Sequence, residues 1–275
     1  MNAVPKPNVT LTWVLMTPPL ATEWLERNTI PNRNPRLREV TKYATDMRDG
    51  NWASDASDPI CRDTEGNILD GQHRLMAVIE SGTSVWLLVA DGVARTTQAV
   101  KDTGIVRKYA DQVKMQGRAN YTTLAAVARW AVLWERGERI IVGSVAPTHS
   151  EMEAALVAYP ELEDAAQFAA VAAKQLRIPP SAFGMAHWLL TPIDKAEAVW
   201  FLSRVADGVE LTADHPAYAF RRRVQQDREQ RRRIRPHVHL ALVFLAWNAY
   251  RDGRPMTRLQ LPKGGLTSGN YPVPR

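Results

Sequence analysis

The chain has 275 residues, 45% hydrophobic and 23% charged, the profile of an ordinary globular protein long enough to bury a sizeable core. Its single cysteine, Cys61, has no internal disulfide partner, and no Cys/His cluster has zinc spacing. That excludes a disulfide scaffold and a zinc finger and fits a reducing cytoplasm.

The net charge of +6 is unevenly placed: Tyr218 to Arg258 holds 11 Arg and no Lys against Asp227, Glu229 and Asp252, so that stretch carries +8 and the remainder −2. Arginine presents a planar fork that suits phosphate oxygens, whereas lysine is a point charge. The window therefore points to nucleic acid or another polyanion, with a solvated helix face as the duller reading. No membrane segment is expected. The apolar stretch His239 to Trp247 is about half the roughly 20 residues a bilayer requires.

In chain order, Val9 to Met16 alternates as a strand with two largely buried faces, ended by Pro18-Pro19. Leu37 to Asp49 reads as a helix with Val40, Tyr43, Ala44 and Met47 on one face and Gly50 as its stop. Short strands at Asp58 to Arg62 and Asn67 to Leu69 flank the turn Asp63-Thr64-Glu65-Gly66. A helix over Gly71 to Ser81, a buried strand over Ser84 to Ala90, and helices at Thr96 to Lys101 and Lys108 to Gln116 follow. From about Arg118 the strand signals stop, and helices are expected at 120–136, 150–159, 161–177, 194–206, 215–235 and 238–251. The fold class is therefore α+β: a small α/β domain over 1–117, an all-helical domain over 118–262, and an irregular tail over 263–275.

The sharpest motif is Asp70-Gly71-Gln72-His73-Arg74-Leu75, at a strand-to-helix junction. The first N–H groups of such a helix lack internal partners, and its dipole adds roughly half a positive charge. With Arg74 and His73 as side-chain donors, this makes an anion site of phosphate size. Asp70 at its mouth reads as a ligand for Mg²⁺ or a hydroxyl, or else simply as the helix cap. No GxxxxGK[ST] or GxGxxG pattern competes with it.

The strings Asn32-Arg33, Tyr43 to Trp52 and Glu65 to Leu75, with Asp102-Thr103-Gly104 and Arg107, resemble the ParB/sulfiredoxin (ParB N-terminal-like) superfamily, in particular its DGQHR branch of actinobacteria and their phages. The resemblance covers about residues 9–120. It implies a ParB/Srx-like fold in which the Gly-x-x-Arg turn, here Gly71, Gln72, His73 and Arg74, binds nucleotide phosphates. The nucleotide is CTP in partition proteins, ATP in sulfiredoxins, and ADP or ATP in related free-serine kinases. The cysteine that sulfiredoxin chemistry needs is Gln72 here, and the Glu-Arg-Arg of partition proteins is Gln-His-Arg. The Asp and His of the kinases are matched by Asp70 and His73, the two candidate catalytic residues.

Asn32, Arg33, Asp102 and Arg107 are further phosphate-binding candidates, with loop, cap and surface roles as their plainer readings. Arg221, Arg222, Arg228, Arg232 and Arg235 are the DNA-binding candidates, expected on the helix His215 to Arg235 and making mainly phosphate contacts. His149, His187, His215, His237 and His239 read as structural, and Trp130, Trp134, Trp188, Trp200 and Trp247 as core. The expected function is that of a nucleotide-binding protein associated with DNA. An NTP hydrolase or phosphotransferase, or less readily a nuclease, is the alternative. ATP or CTP, with Mg²⁺ at Asp70, is the expected cofactor; DNA and a second copy of the chain as a homodimer are the expected partners.

Overall fold

A computed structural model describes residues 8–32, 34–99, 108–141 and 146–275. The expected site residues Arg33, Asp102 and Arg107 lie outside them, as does the end of the helix expected at Thr96 to Lys101. The fold is α+β, in two compact units, Met1–Val106 and Arg107–Arg275.

The first unit is built on a four-stranded sheet. Its strands are β1 (Thr10–Met16), β2 (Ile60–Arg62), β3 (Ile68–Asp70) and β4 (Val85–Asp91), in the order β1-β4-β2-β3. β4 runs antiparallel to β1 and parallel to β2, and β2 and β3 form an antiparallel hairpin. Three helices, α1 (Pro18–Glu26), α2 (Leu37–Arg48) and α3 (Gln72–Ser81), supply Ala21, Val40, Ala44, Met47, Leu75 and Val78 to a core shared with Met16, Ile60, Ile68, Leu87 and Val89 of the strands.

α1 was not expected, because Pro18-Pro19 reads as a terminator. The two prolines end β1, but they occupy the first turn of a helix, where a missing N–H costs nothing. Thr17 caps it, its hydroxyl accepting from the Leu20 N–H at 3.3 Å.

β1 also differs from the expectation of two buried faces. Only one face meets the helices; on the other, Leu11, Trp13, Leu15 and Trp86 of β4 stay 44–60% exposed. That second face is covered only near β2 and β3, by a small cluster of Cys61, Leu69 and Ala90 with Ile30 and Val93.

The second unit is helical: α4 (Tyr109–Met115), α5 (Tyr121–Glu135), α6 (His149–Ala158), α7 (Glu161–Leu176), α8 (Pro180–Leu190), α9 (Lys195–Asp207), α10 (Pro216–Glu229) and α11 (Pro236–Arg251). The boundary thus precedes α4, whose Tyr109 and Val113 join the helical core. α8 lies at the centre of that core, with Ala182, Phe183, Met185, Ala186 and Leu190 fully buried and Gly184 against Val127. The tail beyond Asp252 is irregular, as expected, yet docked. Tyr271 is buried, its hydroxyl donating to the His237 carbonyl at 2.6 Å, and the Trp247 indole donates to the Arg275 carbonyl at 2.9 Å.

Two further expectations are corrected. α10 ends at Glu229 rather than Arg235, so Arg232 and Arg235 lie in the connection to α11. Trp200 is not core: it is 43% exposed and stacks on Tyr250, whose hydroxyl donates to Glu197. Trp130, Trp134, Trp188 and Trp247 are buried, as expected. No helix among the described residues is long and apolar enough to cross a membrane.

Candidate functional site

The junction from β3 to α3 is held from below by a polar knot. Asp63, buried at the β2–β3 turn, accepts from the N–H groups of Glu65 (2.9 Å) and Asn67 (2.8 Å) and from Arg95 Nε (2.6 Å). Burial works to raise the Asp63 pKa, but Arg95 and the Asn67 and Glu65 donors outweigh it and hold the carboxyl at about 2. The Asn67 side chain in turn accepts from the N–H and hydroxyl of Thr29, at 2.9 and 2.8 Å. Asn28 Oδ1 accepts from Ile68 N–H at 2.8 Å, and Asn32 Nδ2 donates to the Ile68 carbonyl at 3.1 Å. Residues 28–32 are thereby laced along β3, and Asn32 spends its amide on the backbone next to the loop.

β3 then turns into α3 through Gly71, at φ +102°, a left-handed conformation that L side chains rarely adopt. A Cβ there would also sit 2.3 Å from Ile60 Cδ1 and 3.2 Å from Ile60 Cα, so any other residue at this position is strained. Among the described residues no side chain caps the helix that follows.

Arg74 extends back under the turn. Its Nη2 donates to the Pro59 carbonyl at 3.4 Å and pairs with Asp70 Oδ2 at 3.6 Å, while its Nη1 is buried with no hydrogen-bond acceptor. His73 Nε2 accepts from the Arg36 N–H at 2.9 Å, which places the ring proton on Nδ1. The turn thus brings together Asp70, Gly71, Gln72, His73 and Arg74.

One neighbour was not expected to belong to it. Tyr43 on α2 lies in the field of both Arg74 and Asp70. Burial, with Glu39, Asp58 and Asp70, raises its pKa against the opposing pull of Arg74. Trp52 packs edge-on against its ring, centroids 5.6 Å apart. In the sequence Tyr43 is one apolar-face residue among four, so nothing but its phenol sets it apart.

The residues do not make a metal cage. Asp70 is engaged by Arg74, and among the described residues no group of three or more His, Cys, Asp or Glu side chains is gathered to hold an ion. No step through Mg²⁺ is therefore derived from Asp70.

In the second unit the five DNA-binding candidates have different surroundings. Arg221 Nη1 donates to the Val205 and Ala206 carbonyls at 2.8 and 2.5 Å, fastening the end of α9. Arg222, Arg228 and Arg235 are exposed, with no ion pair or side-chain hydrogen bond among the described residues. Arg232 lies 3.7 Å from Asp227. Burial lowers the pKa of both His237 and His239 on α11, which keeps these packed imidazoles uncharged.

Compared with family models, curated proteins and solved structures, the chain matches none.

Proposed function

We propose that the first unit binds a nucleoside triphosphate by its phosphates at Gly71–Arg74, and that the second unit associates with DNA through its arginines. The observation that carries the first half is the buried Nη1 of Arg74, a charged donor with no acceptor beside an uncapped helix start. A buried guanidinium N–H without a partner is costly, and a phosphate oxygen at this turn supplies the missing acceptor. Uncapped N–H groups, the helix dipole and the imidazole of His73 add to the pull. ATP and CTP are the nucleotides the resemblance to the ParB/sulfiredoxin superfamily favours.

Turnover, with Asp70 and His73 as catalytic residues, is the second reading; in the binding reading Asp70 has a different task. Its carboxylate holds Arg74 in place, and His73 is oriented by the backbone of residue 36. Asp70 and His73 therefore act as positioning residues for the phosphate turn.

The second half is supported by the +8 stretch and by Arg222, Arg228 and Arg235, which are exposed and paired with no carboxylate among the described residues. The test of the nucleotide reading is a melting-temperature screen of the full chain against nucleoside tri- and diphosphates at millimolar concentration. A saturable rise with at least one of them is expected; no rise with any of them rejects the reading.

A further inference from the structure

The end of α10 is unusual. The N–H of Arg231 bonds back to the Arg228 carbonyl at 2.9 Å, and the N–H of Arg232 to the Asp227 carbonyl at 2.8 Å. This is the Schellman closure, whose left-handed residue is normally glycine; here it is Arg231, at φ +52°. The strained turn returns Arg232 over the last turn of α10, where its Nη1 lies 3.7 Å from Asp227 Oδ1. Asp227 is buried, and Arg223 braces it: Nε donates to Oδ2 at 2.8 Å while Nη1 donates to the Leu259 carbonyl at 3.1 Å. Arg223 thus ties residues 257–260 to the helix.

Between α10 and residues 257–260 runs a cleft of about 620 Å³, bordered by Arg222, Arg223, Arg232 and Arg258 with Gln226 and Gln230. Among the described residues Asp227 is the only acidic group that borders it, so this lining carries +3. Its volume is in the roughly 300–1,000 Å³ range of clefts that hold ligands. Asp227 is saturated on one oxygen by Arg223, and Arg232 approaches the other without a hydrogen bond. Arg258 donates Nε and Nη2 to the Gln260 side-chain oxygen at 2.8 and 2.9 Å, which holds its fork at the cleft with Nη1 to spare, and Arg222 and Arg232 present theirs to an anion.

The cleft on the opposite side of α10 is smaller, about 410 Å³, and less suited to an anion. Arg221 there is committed to the α9 carbonyls, and Arg228 shares the lining with Glu229.

We infer that the larger cleft seats a backbone phosphate of bound nucleic acid, with Arg232 and Arg258 as its main contacts. This rests on the reading that the second unit binds DNA. A polyanion rather than a small anion is indicated because Arg231, Arg233 and Arg235 continue the positive surface just beyond the cleft, all exposed. The arginine set that matters therefore differs from the five candidates 221, 222, 228, 232 and 235: the cleft selects 222, 232 and 258 and omits 221, 228 and 235.

The experiment is a salt titration of duplex binding with the full chain and a short fluorescent DNA of mixed sequence. Log affinity against log salt falls by about 0.9 per phosphate neutralised. Arg232→Gln and Arg258→Gln are each expected to reduce the slope by about one and weaken binding several-fold, alike for unrelated sequences. Lys174→Gln, an exposed cation on α7 outside the cleft, is expected to leave the slope unchanged. Melting curves of these exposed-residue variants verify that the fold is intact. Wild-type binding with unaltered slopes in Arg232→Gln and Arg258→Gln overturns the cleft assignment and leaves the DNA reading standing. Absence of wild-type binding at roughly 50 mM salt overturns both.

Discussion

Asp70 and Arg74 decide what the proposed phosphate turn can do, because the carboxylate that pairs with the guanidinium would also repel an incoming phosphate. Asp70→Asn removes that repulsion and frees Nη2 of Arg74. Nucleotide binding is expected to tighten several-fold; calorimetric titration of the variant against the wild type measures it. Unchanged affinity with lost hydrolysis would instead assign Asp70 to catalysis. Gly71→Ala meets both a left-handed backbone and Ile60 at 2.3 Å, so a loss of about 2 kcal/mol or more in unfolding free energy is expected by urea denaturation. At this scale the motif was legible in the sequence, since glycine between Asp70 and Gln72 marks a turn that other residues resist. The inward set of Arg74 was not legible: a sequence shows that an arginine is near a helix start, not whether its fork faces water or Pro59. Asp63 was passed over as an ordinary turn residue, although it is the acceptor at the centre of the knot beneath the site. Its pKa of about 2 lies below that of an unfolded aspartate, so its stabilisation is full above about pH 4 and is lost as pH falls toward 2. Thermal melts across that window are expected to show a steeper acid decline for the wild type than for Asp63→Asn, and parallel curves would count against the knot.

Elements announced by periodicity or punctuation were read correctly to within a residue or two, as in α2, α3, β4 and α5. Those missed failed for physical reasons. α8 has no polar face to generate a period, because it is enclosed on nearly every side by α5, α7, α9 and α11, and the prolines around it read as breaks. Close packing has a cost at Gly184, where a Cβ would stand 2.6 Å from Val127. Gly184→Ala is expected to destabilise the helical unit by about 1–3 kcal/mol in urea unfolding. The end of α10 was missed because arginines at helical spacing continue past Glu229 and no glycine marks the stop. Replacing Arg231 by Gly relieves the left-handed strain at φ +52°, and a gain of about 1 kcal/mol is expected from the urea midpoint. A loss would mean that the Arg231 side chain contributes more than its backbone costs.

On the scale of the whole molecule, the division into a small mixed unit and a larger helical one follows from where strand signals cease. The boundary falls before α4 because Tyr109 and Val113 are apolar partners of the helical core, which local pattern alone does not reveal. Charge divides along the chain too: the arginine excess belongs to the helical unit, and the phosphate turn belongs to the first. The contact on which the proposed function turns is that of Arg74 with nucleotide phosphates at Gly71–Arg74. Calorimetric titration of the full chain with ATP and with CTP, beside Arg74→Gln, tests it most directly. Saturable binding of at least one nucleotide is expected, weakened about tenfold to a hundredfold in Arg74→Gln, as loss of a charge-assisted hydrogen bond worth about 1.5–3 kcal/mol requires. Binding of equal strength by Arg74→Gln, or no binding of either nucleotide by the wild type, would contradict it.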